Sequence, residues 1–210
     1  MATVTLADFL DQLGNIPPER ILFHPSPGTA TEEDLLEVES RGGLAPELID
    51  GVLVEKAMGY KESLLAAQLA ALILEFVNAG RLGVVLVGDG PLRILPDQIR
   101  LPDVCFISRD HFPGGVLPDV PVLCVAPDLA VEVLSPGNTI GEMRRKLLDY
   151  FAAGVRLVWY IHPRAKSVEV YTAPDQSATL GENDVLDGGR VLPGFQVELK
   201  GLFAKLRLNP

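Results

Sequence analysis

Cysteine, basic residues and long apolar runs are all scarce in this chain of 210 residues. Its two cysteines, Cys105 and Cys124, lack CxxC spacing, so we expect reduced thiols in the core and a cytoplasmic location. The longest apolar runs, such as residues 120–126, are too short to cross a bilayer. The N-terminus also lacks the basic and apolar regions of a secretory signal, so we expect no membrane partner.

Negative charge exceeds positive charge, with 28 Asp and Glu against 18 Lys and Arg, for a formal net charge of −10. Such a balance argues against a protein that coats nucleic acid nonspecifically, because the phosphate backbone would repel it. A nuclease is still compatible with this charge, since carboxylates that bind metal count toward the total.

Several common catalytic patterns are missing from the sequence. The three histidines are scattered through predicted loops without metal-ligand spacing. Ser135 is not in a G-x-S-x-G turn, and the glycines form neither a P-loop nor a dinucleotide fingerprint. Trp159 and Tyr160 are predicted to belong to the core rather than to a base-stacking surface.

The order of periodic segments predicts a mixed α/β (α+β) domain with an α-β-β-β-α-β core. Helices are expected at 60–78 and 140–153, and strands at 82–87, 91–95, 101–107, 129–134 and 156–161. Asp50-Gly51 predicts a hairpin turn within 47–55, and a second hairpin is expected around Gly88–Gly90. Residues 1–45 form an expected helical appendage to the domain at 46–210, the whole being one globular unit.

Two acids interrupt otherwise apolar strands, and both need a partner if they are buried. Asp103 precedes the run 104–107, and Glu132 lies in the middle of 129–134. A buried carboxylate is costly unless it is paired or bound to metal. A third acid, Glu62, falls on the apolar stripe of the first core helix, where it either faces the core or reaches solvent from the first turn.

Six segments together resemble the Uma2 family of restriction-endonuclease-like proteins, which belong to the PD-(D/E)XK nuclease superfamily. They are ELIDGVLVE from Glu47, PDV from Pro102, VEVLSP from Val131, RKLLDYFAAGV from Arg145, VWYIHP from Val158 and LPGF from Leu192. They extend from about residue 46 to 204. The resemblance implies a restriction-endonuclease-like fold, with a mixed sheet flanked by helices, an added N-terminal hairpin and helices, and added C-terminal strands.

The resemblance also implies roles for individual residues. Asp103 and Glu132 match the superfamily acids that coordinate Mg²⁺ or Mn²⁺, and the carbonyl of Val133 is a further expected ligand. Leu134 stands where the superfamily has its catalytic lysine, and Lys146 on the next helix is the expected substitute. Glu62 is expected to supply the extra acid that many members carry, with Glu47 and Glu55 as weaker candidates for that place.

The implied function is metal-dependent hydrolysis of phosphodiester bonds in nucleic acid, with DNA as the expected substrate and a homodimer as the expected assembly. Two alternatives remain open at this level. The acids and Lys146 could form a buried ion-pair network in a nuclease fold that does not hydrolyse its ligand. The substrate could also be a small phosphoester, which the net charge of −10 favours.

Overall fold

The computed structural model describes residues 5–42 and 45–206. Its five α-helices are α1 (Leu6–Gln12), α2 (Glu32–Ser40), α3 (Tyr60–Gly80), α4 (Ile140–Ala152) and α5 (Leu199–Ala204). Its strands are β1 (Glu47–Ile49), β2 (Val52–Val54), β3 (Gly83–Val87), β4 (Leu92–Leu95), β5 (Gln98–Arg100), β6 (Val104–Ser108), β7 (Leu129–Val133), β8 (Leu157–His162), β9 (Ser167–Ala173), β10 (Gln176–Leu180), β11 (Val185–Gly188) and β12 (Leu192–Glu198).

The main sheet has six strands in the order β10-β9-β8-β7-β6-β3. Only β7 and β8 are parallel, as the helical crossover through α4 requires, and the other pairs are antiparallel. Helix α3 packs on the face that carries Leu129, Val131 and Val133, whereas α4 packs on the face of Ala130. The elements α3-β3-β6-β7-α4-β8 therefore confirm the predicted α-β-β-β-α-β core.

The Asp50-Gly51 hairpin is present, and it begins a second, smaller sheet in the order β2-β1-β5-β4. Asp50 has a φ of 48° and Gly51 a φ of 74°, the left-handed pair that a tight two-residue hairpin turn needs. All six residues of β1 and β2 are buried, because this small sheet is covered by the N-terminal segment.

The second predicted hairpin, around Gly88–Gly90, is wrong. β3 pairs with β6 over five residue pairs from Gly83 to Val87, and β4 pairs with β5 instead. The glycine-rich turn carries the chain from the main sheet to the small sheet. Local turn chemistry marked the reversal correctly but could not show that the apolar strand β6, farther along the chain, is the better partner for β3.

The N-terminal segment begins both of its helices with capping boxes, at Thr5 and Thr31. Between them the chain makes a 3₁₀ turn at Pro18–Arg20, followed by a single bridge from Ile21 to Val54. Leu35 of α2 is fully buried against residues of the small sheet. The segment is thus bound to the domain by apolar contacts along its length.

Helix α3 is long and apolar enough, by length and composition alone, to cross a membrane. Leu65, Leu69, Ile73 and Val77 nevertheless pack in one row against the main sheet and are fully buried there. This arrangement is that of a core helix.

The two cysteines occupy different environments, which corrects the expectation that both lie in the core. Cys105 is buried in β6, and burial raises the pKa of its thiol to about 12. Cys124 is exposed, because the apolar piece 120–125 forms no strand and contributes only Val122 to the core.

Thiol titration with a disulfide reagent should therefore find one reactive cysteine in the native protein and two in guanidinium chloride. Only the thiolate attacks such a reagent, and Cys105 is both protonated and covered. A Cys124→Ser variant should show no rapid reaction in its native state. Rapid reaction of that variant would contradict the placement of Cys105.

Candidate active site

Asp103 and Glu132 project from neighbouring strands onto the same face of the main sheet. Cys105 and Ala130 pack on the α4 side of the sheet. Asp103 and Glu132 are each two residues from one of them along an extended chain, so their side chains point to the same side. Each acid is only 5% exposed. Oδ2 of Asp103 accepts a hydrogen bond of 2.7 Å from the backbone N–H of Val133, which fixes the two strand ends relative to each other.

The carbonyl of Val133, the expected third ligand, faces the same edge as its N–H because both groups of a residue point to one neighbouring strand. The β6–β7 register pairs Val104 with Val131, so it continues to place Val133 opposite Pro102. Proline has no N–H to donate to that carbonyl. The local geometry thus agrees with a carbonyl available beside Asp103.

Lys146 reaches the strand acids from α4. Its Nζ lies 2.9 Å from Oε1 of Glu132 and 2.8 Å from Oε1 of Glu47. Leu134, at the position of the superfamily lysine, is only partly buried and carries no charge. The following helix thus brings an ammonium group to Glu132, and the catalytic role expected for Lys146 stays a prediction.

Glu47, one of the weaker candidates for the extra acid, lies in this cluster. It is 4% exposed, its Oε2 accepts from Nη1 of Arg100 at 2.9 Å, and its Oε1 accepts from the N–H of Leu101 at 3.2 Å. It comes from β1 of the small sheet, which meets the main sheet on the α4 side.

Glu62 is not brought into the cluster. It begins α3, which packs on the opposite face of the sheet, and it lines a separate cleft with Ser135 and His162. Glu55 is exposed, and its hydrogen bonds are made by its backbone: its carbonyl accepts from Nε of Arg20 and its N–H donates to the carbonyl of Arg20, both at 2.8 Å. Of the three acids considered for this place, only Glu47 contacts the cluster.

Lys56 is a site residue that sequence reasoning missed. Its Nζ lies 2.7 Å from Oδ1 of Asp103 and 2.6 Å from the carbonyl of Leu101. It directly follows the Val-Glu end of the hairpin motif, so a cation placed just after a buried strand was the available signal. The ammonium of Lys56 thus occupies a point where two oxygen atoms, from Asp103 and Leu101, attract positive charge.

Arg100 and Tyr150 also contact acids of the cluster, and neither was predicted from the sequence. Arg100 is 1% exposed and pairs with both Glu47 and Asp149. The hydroxyl of Tyr150 donates to Oε1 of Glu132 at 2.5 Å. Both residues belong to segments that read as ordinary strand and helix, and only the tertiary fold brings their polar atoms to the acids.

Arg20 also reaches the site, from the N-terminal segment. Its guanidinium makes a two-point contact with Glu142, at 2.7 and 2.9 Å, and donates to the carbonyl of Gly137 at 3.0 Å. Glu142 also accepts from Thr139 in the capping box of α4. This contact fixes the loop that joins β7 to α4.

Electrostatic balance in the cluster is close, with five carboxylates paired to four cations. The carboxylates are Glu47, Asp103, Glu132, Glu142 and Asp149, and the cations are Arg20, Lys56, Arg100 and Lys146. Burial raises the pKa of Glu132 to about 7 despite the attraction of Lys146. For Glu47, burial is outweighed by Lys146 and Arg100, which hold its pKa below the usual range.

The donor chemistry fits a hard divalent cation, since Asp103, Glu132 and the Val133 carbonyl offer oxygen atoms only. Among residues 5–42 and 45–206, however, no three His, Cys, Asp or Glu side chains converge as a metal-binding group. The cavity beside the acids measures only about 10 Å³. In this conformation the ammonium of Lys56 takes the place beside Asp103.

A mixed sheet with an α-β-β-β-α-β core, and two acids with a lysine on one face of it, define the class of restriction-endonuclease-like folds. Residues 32–200 match the model of the Uma2 family, described as "Putative restriction endonuclease". The chain belongs to this family.

A solved structure from Anabaena variabilis, described as a putative nuclease belonging to DUF820, has a similar fold. Its TM-score is 0.69 at 20% sequence identity, over 78% of this chain and 92% of that chain. A search of curated proteins finds no match.

Replacing Arg100 with glutamine should lower the free energy of unfolding by about 3–5 kcal/mol, because Glu47 and Asp149 would remain buried without their cation. Urea denaturation measures this change. The matched control is Arg41→Gln, which removes an exposed pair with Glu37 and should change stability little. Equal, small effects of both changes would contradict the role of Arg100.

Proposed function

We propose that this protein is a metal-dependent endonuclease that hydrolyses phosphodiester bonds of DNA. The observation that carries the proposal is the convergence of Asp103, Glu132 and Lys146 on one face of β6 and β7. Membership in the Uma2 family supports the same reaction class. Cutting both strands of a duplex takes two sites, so the proposal includes a homodimer, acting in the cytoplasm.

Asp103, Glu132 and the carbonyl of Val133 would hold the cation, Mg²⁺ or Mn²⁺. When bound, such a cation supplies a water of lowered pKa and stabilises charge on phosphoryl oxygens. Lys56 must release Oδ1 of Asp103 to make this possible. Its place in the irregular segment between β2 and α3 leaves it freer to move than a residue of the sheet.

Lys146 would act as a fixed positive charge. Burial alone would lower its pKa, but the attraction of Glu132 and Glu47 outweighs burial and raises it. The ammonium therefore keeps its proton and donates hydrogen bonds, either to the attacking water or to a phosphoryl oxygen that gains charge. Glu47, held by Arg100, positions Lys146 from the side opposite Glu132.

A second candidate function is a nuclease fold that binds its partner without hydrolysis. The observation in its favour is that both strand acids already have lysine partners, Lys56 for Asp103 and Lys146 for Glu132. Such an arrangement is complete without a metal. Metal binding and cleavage therefore separate the two candidates.

Mg²⁺ or Mn²⁺ should raise the melting temperature of the wild type, because a ligand that binds only the native state stabilises it. Asp103→Asn and Glu132→Gln should lose this increase and also lose cleavage of plasmid DNA. The control is Glu55→Gln, which changes an exposed acid just after the β1–β2 hairpin. This variant should keep both properties.

Equal metal-induced shifts in the wild type and both site variants would refute the metal site. A metal shift without cleavage of plasmid, single-stranded DNA or RNA would favour the non-hydrolytic module. Cleavage of a chromogenic phosphodiester alone would instead indicate a hydrolase of small phosphoesters.

Lys146→Gln should reduce cleavage of DNA by about 100-fold or more, the usual cost of losing one preorganised charge at a phosphoryl or acyl centre. The metal-induced increase in melting temperature should persist, since Lys146 donates no oxygen ligand. Lys200→Gln, at an exposed position of α5, is the matched control and should cleave normally. Normal cleavage by Lys146→Gln would contradict the catalytic role of Lys146. Lys56 would then be the first residue to test for that role.

A further inference from the structure

A cleft of about 820 Å³ opens between α4 and strands β8 and β9. It lies beyond the carboxyl ends of the parallel pair β7 and β8, where Ser135 and His162 line it, and ligands of open α/β sheets commonly bind at this edge. Asn138 lines both this cleft and the cavity of the carboxylate cluster. The cleft is therefore adjacent to the proposed site of hydrolysis.

One wall of the cleft is apolar and the other is aromatic. Ile140, at the start of α4, is 91% exposed, and Leu148 is 49% exposed. Across from α4, the rings of Tyr160 and Tyr171 meet edge to face with their centroids 5.4 Å apart. A flat ring can enter between these walls and contact carbon atoms on both sides.

Polar groups are confined to particular points of the cleft. Oε2 of Glu169 accepts from the hydroxyl of Tyr171 at 2.8 Å and lies 3.3 Å from Nε2 of His162. That nitrogen is buried yet makes no well-aligned hydrogen bond within the described residues. Arg144 is exposed at the rim, whereas its neighbour Arg145 is bound to Asp50.

We propose that this cleft binds one unpaired nucleotide of the substrate, next to the phosphodiester that is cleaved. The base packs between Ile140 and Tyr171, and His162 and Glu169 contact its polar edge. Arg144 pairs with a phosphate at the rim. This inference rests on the proposed function, and it specifies that the nucleotide beside the cleaved bond is either single-stranded or turned out of the duplex.

Three features favour a nucleotide over a wholly apolar ligand. The volume lies within the range of about 300–1,000 Å³ that is typical of small-ligand sites. An aromatic wall, a donor–acceptor pair and a rim cation match the base, its edge and its phosphate in turn. The base must be unpaired, because stacking on a side chain requires a face that a duplex covers.

The test measures binding of a short fluorescein-labelled single-stranded oligodeoxynucleotide by anisotropy, in EDTA so that no cleavage occurs. Tyr171→Leu should weaken binding by about tenfold, the loss expected for one base-stacking contact. Tyr171→Phe keeps the ring and should bind like the wild type. Arg144→Gln should lower the slope of log K against log salt by about 0.7, as for one phosphate contact on a single strand.

Arg81→Gln is the matched control, because Arg81 is an exposed arginine at the end of α3 on the opposite face of the sheet. It should leave affinity and salt slope unchanged. Arg144 is itself exposed, so its variant remains informative even if Tyr171→Leu unfolds. Unlabelled single strands should also compete better than a duplex of the same sequence.

Unchanged binding in both cleft variants, failure of the wild type to bind, or stronger competition by the duplex would each overturn the inference. The proposed function would survive these outcomes if the wild type still cleaves duplex plasmid with metal. Conversely, the wild type could bind the oligonucleotide but cleave no nucleic acid, while the cleft variants lose this binding. That result would support nucleotide binding in the cleft and refute the proposed hydrolysis.

Discussion

Three acids buried in one cluster between the main sheet and the small sheet, each requiring a cation, impose the central constraint on this structure. Glu47, Asp103 and Glu132 are all at most 5% exposed. Ionised carboxylates at such depth persist only with paired charges and satisfied lone pairs. The small sheet supplies Glu47 and Arg100, the hairpin end supplies Lys56, and α4 supplies Lys146 and Tyr150. The elements on the α4 side of the main sheet thus supply the polar partners of these acids.

This constraint explains why the N-terminal segment and the small sheet pack so closely on the domain. The segment buries Leu35 and Ile21 against the small sheet, and its Arg20 pairs with Glu142 at the start of α4. The β7–α4 loop is therefore fixed from outside the main sheet. A loop that is held in this way keeps Lys146, one turn farther along α4, in register with Glu132.

Periodicity and turn chemistry were sufficient to predict the core elements and the strand-borne acids. Lys146 became a candidate through the family resemblance, and the structure brings its ammonium to Glu132 and Glu47. Periodicity and turn chemistry failed for Glu62, since the stripe on α3 indicates burial but not which face of the sheet the helix covers. They failed for β4 for a related reason, as a strand's partner depends on contacts distant in sequence. Arg100 could not be found from the sequence, because a buried cation in one sheet is understood only when the acids of the other sheet are placed beside it.

The two lysines of the cluster are not equivalent, and the difference bears on how the proposed metal ion would enter the site. Lys146 projects from a helix whose Met143 and Leu147 are packed in the core, so its charge is held beside Glu132 and Glu47. Lys56 extends from an irregular segment and neutralises Asp103 alone. Removing one partner of a buried pair costs several kcal/mol, which explains why Asp103 needs a cation at all times. An exchange of Lys56 for a divalent ion keeps that acid paired throughout, whereas an exchange of Lys146 would also leave Glu47 without one of its two cations. On the proposed function, Lys56 is the cation that leaves and Lys146 is the cation that stays beside the reacting phosphate.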